Sequence, residues 1–247
     1  MNKKFVLFGA LGLALPAFVL APGRAGRRQR APFMGVNFAH RGLHSRDMTV
    51  PENSLEAFRL AARVGYGIEL DVQLSKDGQV VVFHDDTLER VCGVDSRVDE
   101  KTYEELSALR LCGTEHKIPL FSEALAVIRG RGPLIVELKN GSRNRELCEK
   151  TYALLENYRG EVCVESFNPL IVAWFRFHAR DIVRGQLAMP QKYYDGQPRP
   201  LAFIMSNTLM NFLARPQFIA YRIGKKPFPV RLSELMGAIK IAWTSHE

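Results

Sequence analysis

A chain of 247 residues with 47% apolar and 10% aromatic side chains is ample for a packed core and suits one large domain or two small ones, a large α/β domain being well within range. The net charge of +8 invites a nucleic-acid reading, but residues 1–30 alone hold six basic residues (Lys3, Lys4, Arg24, Arg27, Arg28 and Arg30) and no acid. The remainder carries 28 basic against 26 acidic side chains, a balance of +2, so no basic footprint for DNA or RNA is left.

In chain order, the first predicted element is a membrane anchor. Residues 5–23 contain no charge, and a helix of that length spans roughly 28 Å, close to a hydrocarbon core. The run predicts an uncleaved single-pass anchor within residues 1–30, followed by one domain over 31–247. A cleavable signal peptide is the competing reading, weakened by the length of the run and by the poor cleavage site at Gly23-Arg24-Ala25. The heavier basic cluster over 24–30 favours a cytoplasmic domain.

Short β-like runs then alternate with helical ones. Residues 36–39 form a strand that ends at His40. Asn53 caps a helix ended by Gly65, with Glu56 completing a capping-box pattern. Residues 67–72 make the second strand, and Lys76-Asp77-Gly78-Gln79 is a hairpin signal that returns the chain to His84-Asp85. A two-residue loop sets Asp71 directly opposite His84; a three-residue loop leaves them diagonal. Helices follow from Thr102 and over 122–129, then a strand over 134–138, a helix over 145–158 and a strand over 162–166. A helix after Pro169 leads to strands over 182–186, 218–221 and 238–243, with 187–216 read as a barrel helix carrying an insertion.

Setting the hairpin aside, seven strands with long connections imply a parallel sheet with crossover helices. His40, Glu69 with Asp71, Glu137 with Lys139, and Ser166 all fall at C-terminal ends of different strands. In a TIM-type (β/α) barrel those ends encircle one mouth, so the barrel is favoured over an open sheet.

Residues two apart on a strand share a face, so Glu69 and Asp71 point together, as do Glu137 and Lys139. Three inward carboxylates suit a hard cation, Mg²⁺ or Ca²⁺, which takes oxygen ligands. Zinc is disfavoured because no Cys/His cluster is present, and Cys92, Cys112, Cys148 and Cys163 read as unpaired thiols. His40 and His84 are the candidate acid and base; Arg41 and Lys139 add fixed positive charge suited to a phosphate oxyanion.

Phe-Ala-His-Arg-Gly at 38–42, Pro-Glu-Asn-Ser at 51–54, Glu-Leu-Asp-Val at 69–72, Ser-Lys-Asp-Gly at 75–78 and Phe-His-Asp-Asp at 83–86 resemble, in order and spacing, the glycerophosphodiester phosphodiesterases. Glu-Leu-Lys at 137–139, Ser-Phe-Asn-Pro at 166–169 and Trp243-Thr244 extend the resemblance. It implies a TIM-type barrel with the hairpin inserted after the second strand, and a divalent cation held by Glu69, Asp71 and Glu137. It also implies His40 and His84 as the acid/base pair in hydrolysis of a small-molecule or lipid phosphodiester to sn-glycerol 3-phosphate and an alcohol. The family's Trp-Thr strand is followed by a helix and a last strand, so a chain stopping at Glu247 is expected to lack the final barrel strand. The alternatives are a lysophospholipase D and a non-catalytic membrane-tethered binding protein; the oligomeric state stays open.

Overall fold

The computed structural model describes residues 14–243. The chain divides into two compact units: Gly26–Ser166 with Asp181–Val183, and Phe167–Arg180 with the described parts of Met1–Ala25 and Arg184–Glu247.

The first unit is half of a TIM-like barrel. Strands β1 (Phe38–Ala39), β2 (Gly67–Leu74), β4 (Leu134–Leu138) and β5 (Val162–Ser166) are parallel in that spatial order, and β3 (Val80–Val82) pairs antiparallel with β2. The parallel strands are apolar runs buried nearly throughout, as expected of sheets covered on both faces. The helix Leu55–Val64 buries Ala57, Phe58, Ala61 and Ala62 and ends where Gly65 turns left-handed at φ 78°. Its cap is Ser54, whose hydroxyl accepts from the Ala57 amide at 3.2 Å, and not Asn53 as the sequence predicts. Between β3 and β4 an inserted segment closes over its own core of Phe83, Leu88, Val91, Leu106, Leu111 and Ile118.

The hairpin takes a three-residue loop. Val72 pairs with Val82 and Leu74 with Val80, so Phe83 comes opposite Asp71 and His84 lies one residue beyond. The Ser75 hydroxyl decides this register: it accepts from the Gln79 amide at 2.8 Å and donates to Asp77 at 2.6 Å, leaving Lys76, Asp77 and Gly78 to turn. Gly78 supplies the left-handed residue at φ 78°.

In the second unit β6 (Val183–Ala188), β7 (Phe218–Arg222) and β8 (Ile239–Trp243) are again parallel. Gly185 is required there, since a Cβ would run into the ring of Phe218. The strands agree with prediction to within one or two residues. The expected lack of a final barrel strand turns on the chain after Trp243, where residues 244–247 lie outside the described residues.

The membrane anchor is the expectation that fails, and with it the membrane localisation and the cytoplasmic placement of the domain. Residues 1–13, most of the expected anchor, lie outside the described residues, and the described residues 14–20 are helical. Among the described residues no helix is long and apolar enough to cross a membrane. The physical reason is visible in where this segment's carbonyls go. Leu20 is buried and its carbonyl accepts from the Ser233 hydroxyl at 2.9 Å and the Asn211 amide at 3.3 Å. Arg215 donates to the carbonyls of Phe18 and Ala21 and stacks over the Phe18 ring. The Gly23 amide donates to Pro216. The end of the apolar run is thus a docked segment of the protein's own core.

Candidate active site

The site lies in the first unit, built on β2, β4 and the turns that follow β1 and β3. Asp71 and Glu137 are direct register partners, and Glu69 stands two residues before Asp71 on the same face. One oxygen from each of the three lies within 4.8 Å of the others, and all three side chains are buried. Lys139, one residue past β4, donates to Glu137 Oε1 at 2.8 Å and to Asp71 Oδ1 at 3.4 Å. Of the residues predicted for the site, these four are brought together as expected.

His40 and Arg41 leave β1 through a tight turn in which Arg41 and Gly42 are both left-handed, at φ 57° and 79°. A left-handed arginine is strained, and such strain persists only where surrounding bonds hold it. Here the Arg41 amide donates to Glu69 Oε2 at 2.9 Å and the Arg41 carbonyl accepts from the Asn53 amide at 2.9 Å. Glycine is needed next, because a Cβ on Gly42 would come within 2.8 Å of the Ala57 Cβ. The turn brings His40 Nε2 to 3.9 Å from Glu69 and Arg41 Nε to 3.6 Å from Asp71. That Arg41 nitrogen is buried and has no hydrogen-bond partner.

His84 is half-buried at the end of the hairpin, its Nδ1 2.5 Å from Asp85 Oδ1. Gln73 holds this segment by donating to the carbonyls of Phe83 and Asp85, each at 2.9 Å.

Six further residues complete the arrangement without having been foreseen. Asn53, left-handed at φ 55° and buried, donates to Asp71 Oδ2 at 2.8 Å. Glu52 accepts from Arg41 at 2.9 Å and from Arg90, which also bonds Asp85. Glu165 is the register partner of Glu137 on β5, buried, with an Oε2 that has no hydrogen-bond partner. Asp85 and Gln73 are the fifth and sixth. Asn53, Glu52 and Asp85 stand in the motif stretches given above; Glu165 is marked only by the cross-strand register that sets it beside Glu137.

Electrostatics sort these groups. Burial pushes the Glu69 carboxyl well up, reinforced by Asp71, Glu137 and Glu165. Burial likewise raises Glu165, and raises Glu137 despite the opposing pull of Lys139. Burial would raise Asp71 too, but Lys139, His84, Arg41 and the Asn53 amide hold it down to about 2. The Lys139 ammonium would be lowered by burial, yet Glu137 and Asp71 keep it above the ordinary lysine value. His40 is lowered to about 4, first by burial and then by Arg41. Crowded carboxyls with raised pKa values, all oxygen donors and with one orphaned buried oxygen among them, fit a divalent cation.

Several known proteins are similar to this chain. A glycerophosphodiester phosphodiesterase from Bacillus altitudinis is 37% identical over 150 residues, covering 56% of this chain and 60% of its own length. The lysophospholipase D GDPD1 of Homo sapiens is 30% identical over 173 residues, covering 64% of this chain and 53% of its own length. The chain therefore spans about six-tenths or less of the length of these curated relatives. Among solved structures, an Oleispira antarctica phosphodiesterase in complex with the product sn-glycerol-3-phosphate superposes with a TM-score of 0.72 at 24% identity, over 87% of this chain and 86% of that one. A Thermotoga maritima glycerophosphodiester phosphodiesterase gives 0.64 at 25% identity, with 86% of each chain covered. The profile described as the Glycerophosphoryl diester phosphodiesterase family matches residues 40–244, most of the chain, and the chain belongs to that family.

Proposed function

We propose that the chain hydrolyses glycerophosphodiesters to sn-glycerol 3-phosphate and an alcohol, with a divalent cation held by Glu69, Asp71 and Glu137. The observation that carries this reading is the buried three-carboxylate cluster flanked by two histidines, in a chain of this family. The cation, when bound, supplies charge neutralisation and polarisation at the phosphate. Arg41, with a buried guanidinium nitrogen unpartnered beside Asp71, is suited to a phosphate oxygen, and Lys139 adds fixed positive charge at the same place.

The two histidines stand in different surroundings and take different roles. His40, lowered to about 4 by burial and Arg41, is neutral near pH 7 and accepts a proton from the attacking water as its oxygen bonds to phosphorus. His84, whose Nδ1 is held 2.5 Å from Asp85 Oδ1, gives its Nε2 proton to the departing alcohol oxygen as the P–O bond breaks. The surface recess beside Lys139 presents the side chains of Gln73, Asp86, Arg97, Asn140 and Arg143, hydrogen-bonding and charged groups that suit a small polar alcohol better than an acyl chain. Glycerophosphocholine is therefore the better substrate than lysophosphatidylcholine.

The division of labour is tested with leaving groups. Glycerophospho-p-nitrophenol needs no proton on departure, so His84→Ala is expected to lose about 10²-fold or more on glycerophosphocholine but little on the nitrophenyl ester. His40→Ala is expected to lose activity on both. Equal losses of His84→Ala on the two substrates contradict its role as the acid, and faster turnover of lysophosphatidylcholine contradicts the substrate reading.

A further inference from the structure

The inserted segment between β3 and β4 carries a short helix, Glu89–Cys92, whose Val91 and whose cap residue Leu88 are buried in the segment's own core. That anchoring leaves Arg90 to reach out between two acidic residues from distant parts of the chain. Its Nε and Nη2 lie 2.5 and 3.1 Å from the two oxygens of Asp85. Its Nη2 and Nη1 lie 2.5 and 3.2 Å from the two oxygens of Glu52. Each acid in turn touches one member of the site: Asp85 holds His84 Nδ1 at 2.5 Å, and Glu52 holds Arg41 Nη1 at 2.9 Å.

We infer that Arg90 is a positioning residue, a double fork that fixes Asp85 against His84 and Glu52 against Arg41, so that one side chain aligns the proton-donating imidazole with the phosphate-facing guanidinium. The inference rests on the roles proposed above for His84 and Arg41. The fork geometry is specific to arginine: five donors in a plane serve two carboxylates bidentately, which a lysine ammonium cannot do. The network also supplies the reason a half-exposed arginine contributes to chemistry. A carboxylate left without Arg90 is free to rotate, and a displaced imidazole of about 1 Å costs up to about 100-fold in rate.

Steady-state kinetics of Arg90→Gln, Arg90→Lys, Asp85→Asn and the double variant Arg90→Gln/Asp85→Asn test this. Arg90→Gln is expected to lower kcat for glycerophosphocholine by about 10- to 100-fold with KM changed less than about threefold. Arg90→Lys is expected to recover part of the loss. The double variant is expected to be slower than Asp85→Asn alone only by what the Glu52–Arg41 arm contributes, and so by less than the product of the two single losses, because Arg90 and Asp85 act in series on His84. Full additivity, or an Arg90→Gln enzyme that loses thermal stability while keeping kcat, overturns the inference. Nitrogen NMR of His84 in the intact protein separates this from the functional reading: Arg90→Gln is expected to shift the Nδ1 resonance whatever the substrate. An unmoved resonance overturns the inference, whereas a moved resonance in a protein with no phosphodiesterase activity overturns the functional reading alone.

Discussion

Asn53 shows how much of the site depends on a residue with no chemistry of its own. Its amide nitrogen satisfies Asp71 Oδ2, and its left-handed backbone turns the Pro-Glu-Asn-Ser loop so that Glu52 faces Arg41. Asn53→Ala leaves a fully buried carboxylate oxygen short of a donor and places a Cβ residue with poor tolerance at φ 55°. The expected loss is about 1–3 kcal/mol in a urea unfolding titration, with activity lowered as well. Asn53→Gly, which accepts the backbone, is expected to lose less; an equal loss in both variants contradicts the backbone part of this explanation. Residues of this kind are hard to read in a sequence. Glu69, Asp71, Glu137 and Lys139 were legible because strand periodicity alone puts each pair on one face. Asn53 was not, because a good cap residue, Ser54, stands next to it and the two compete for the same reading. Glu165 and Arg90 were invisible for another reason: a strand carboxylate and a surface arginine acquire meaning only from the neighbours the fold brings.

At the scale of elements, the hairpin after β2 delivers His84 to the carboxylates. Its turn residues marked the place, and their side-chain bonds decided the register: Ser75 takes the Gln79 amide and so lengthens the loop to three residues. The slip moves His84 one residue beyond the Asp71 pair, where Gln73 and Asp85 hold it. Gly78 is the residue on which this turn depends, at φ 78° and with the Lys150 Nζ and Glu146 side-chain ends where a Cβ would sit. Gly78→Ala is expected to destabilise by about 1–2 kcal/mol, read from the denaturant midpoint at unchanged slope. A neutral result would mean that the loop has adopted another turn.

At the scale of the whole molecule, the alternation of strands and crossovers was the most legible feature, because parallel βαβ order needs only hydrophobic runs and caps to be seen. The apolar N-terminal run was the least legible. Nineteen uncharged residues suit a bilayer and a protein surface equally well, and the described end of the run is held by partners far along the chain, Asn211, Arg215 and Ser233. In the first unit, four buried carboxyls crowd against Lys139 and Arg41 on β2, β4, β5 and the β1 turn. Such a crowd of acids is costly until a cation joins it. The most direct measurement is therefore release of sn-glycerol 3-phosphate from glycerophosphocholine by the chain after treatment with EDTA, with Mg²⁺ or Ca²⁺ then restored. The account predicts no release in EDTA, recovery on adding one of these ions, and no recovery in Glu137→Gln; release that is unchanged by EDTA, or restored in Glu137→Gln to the wild-type rate, would contradict it.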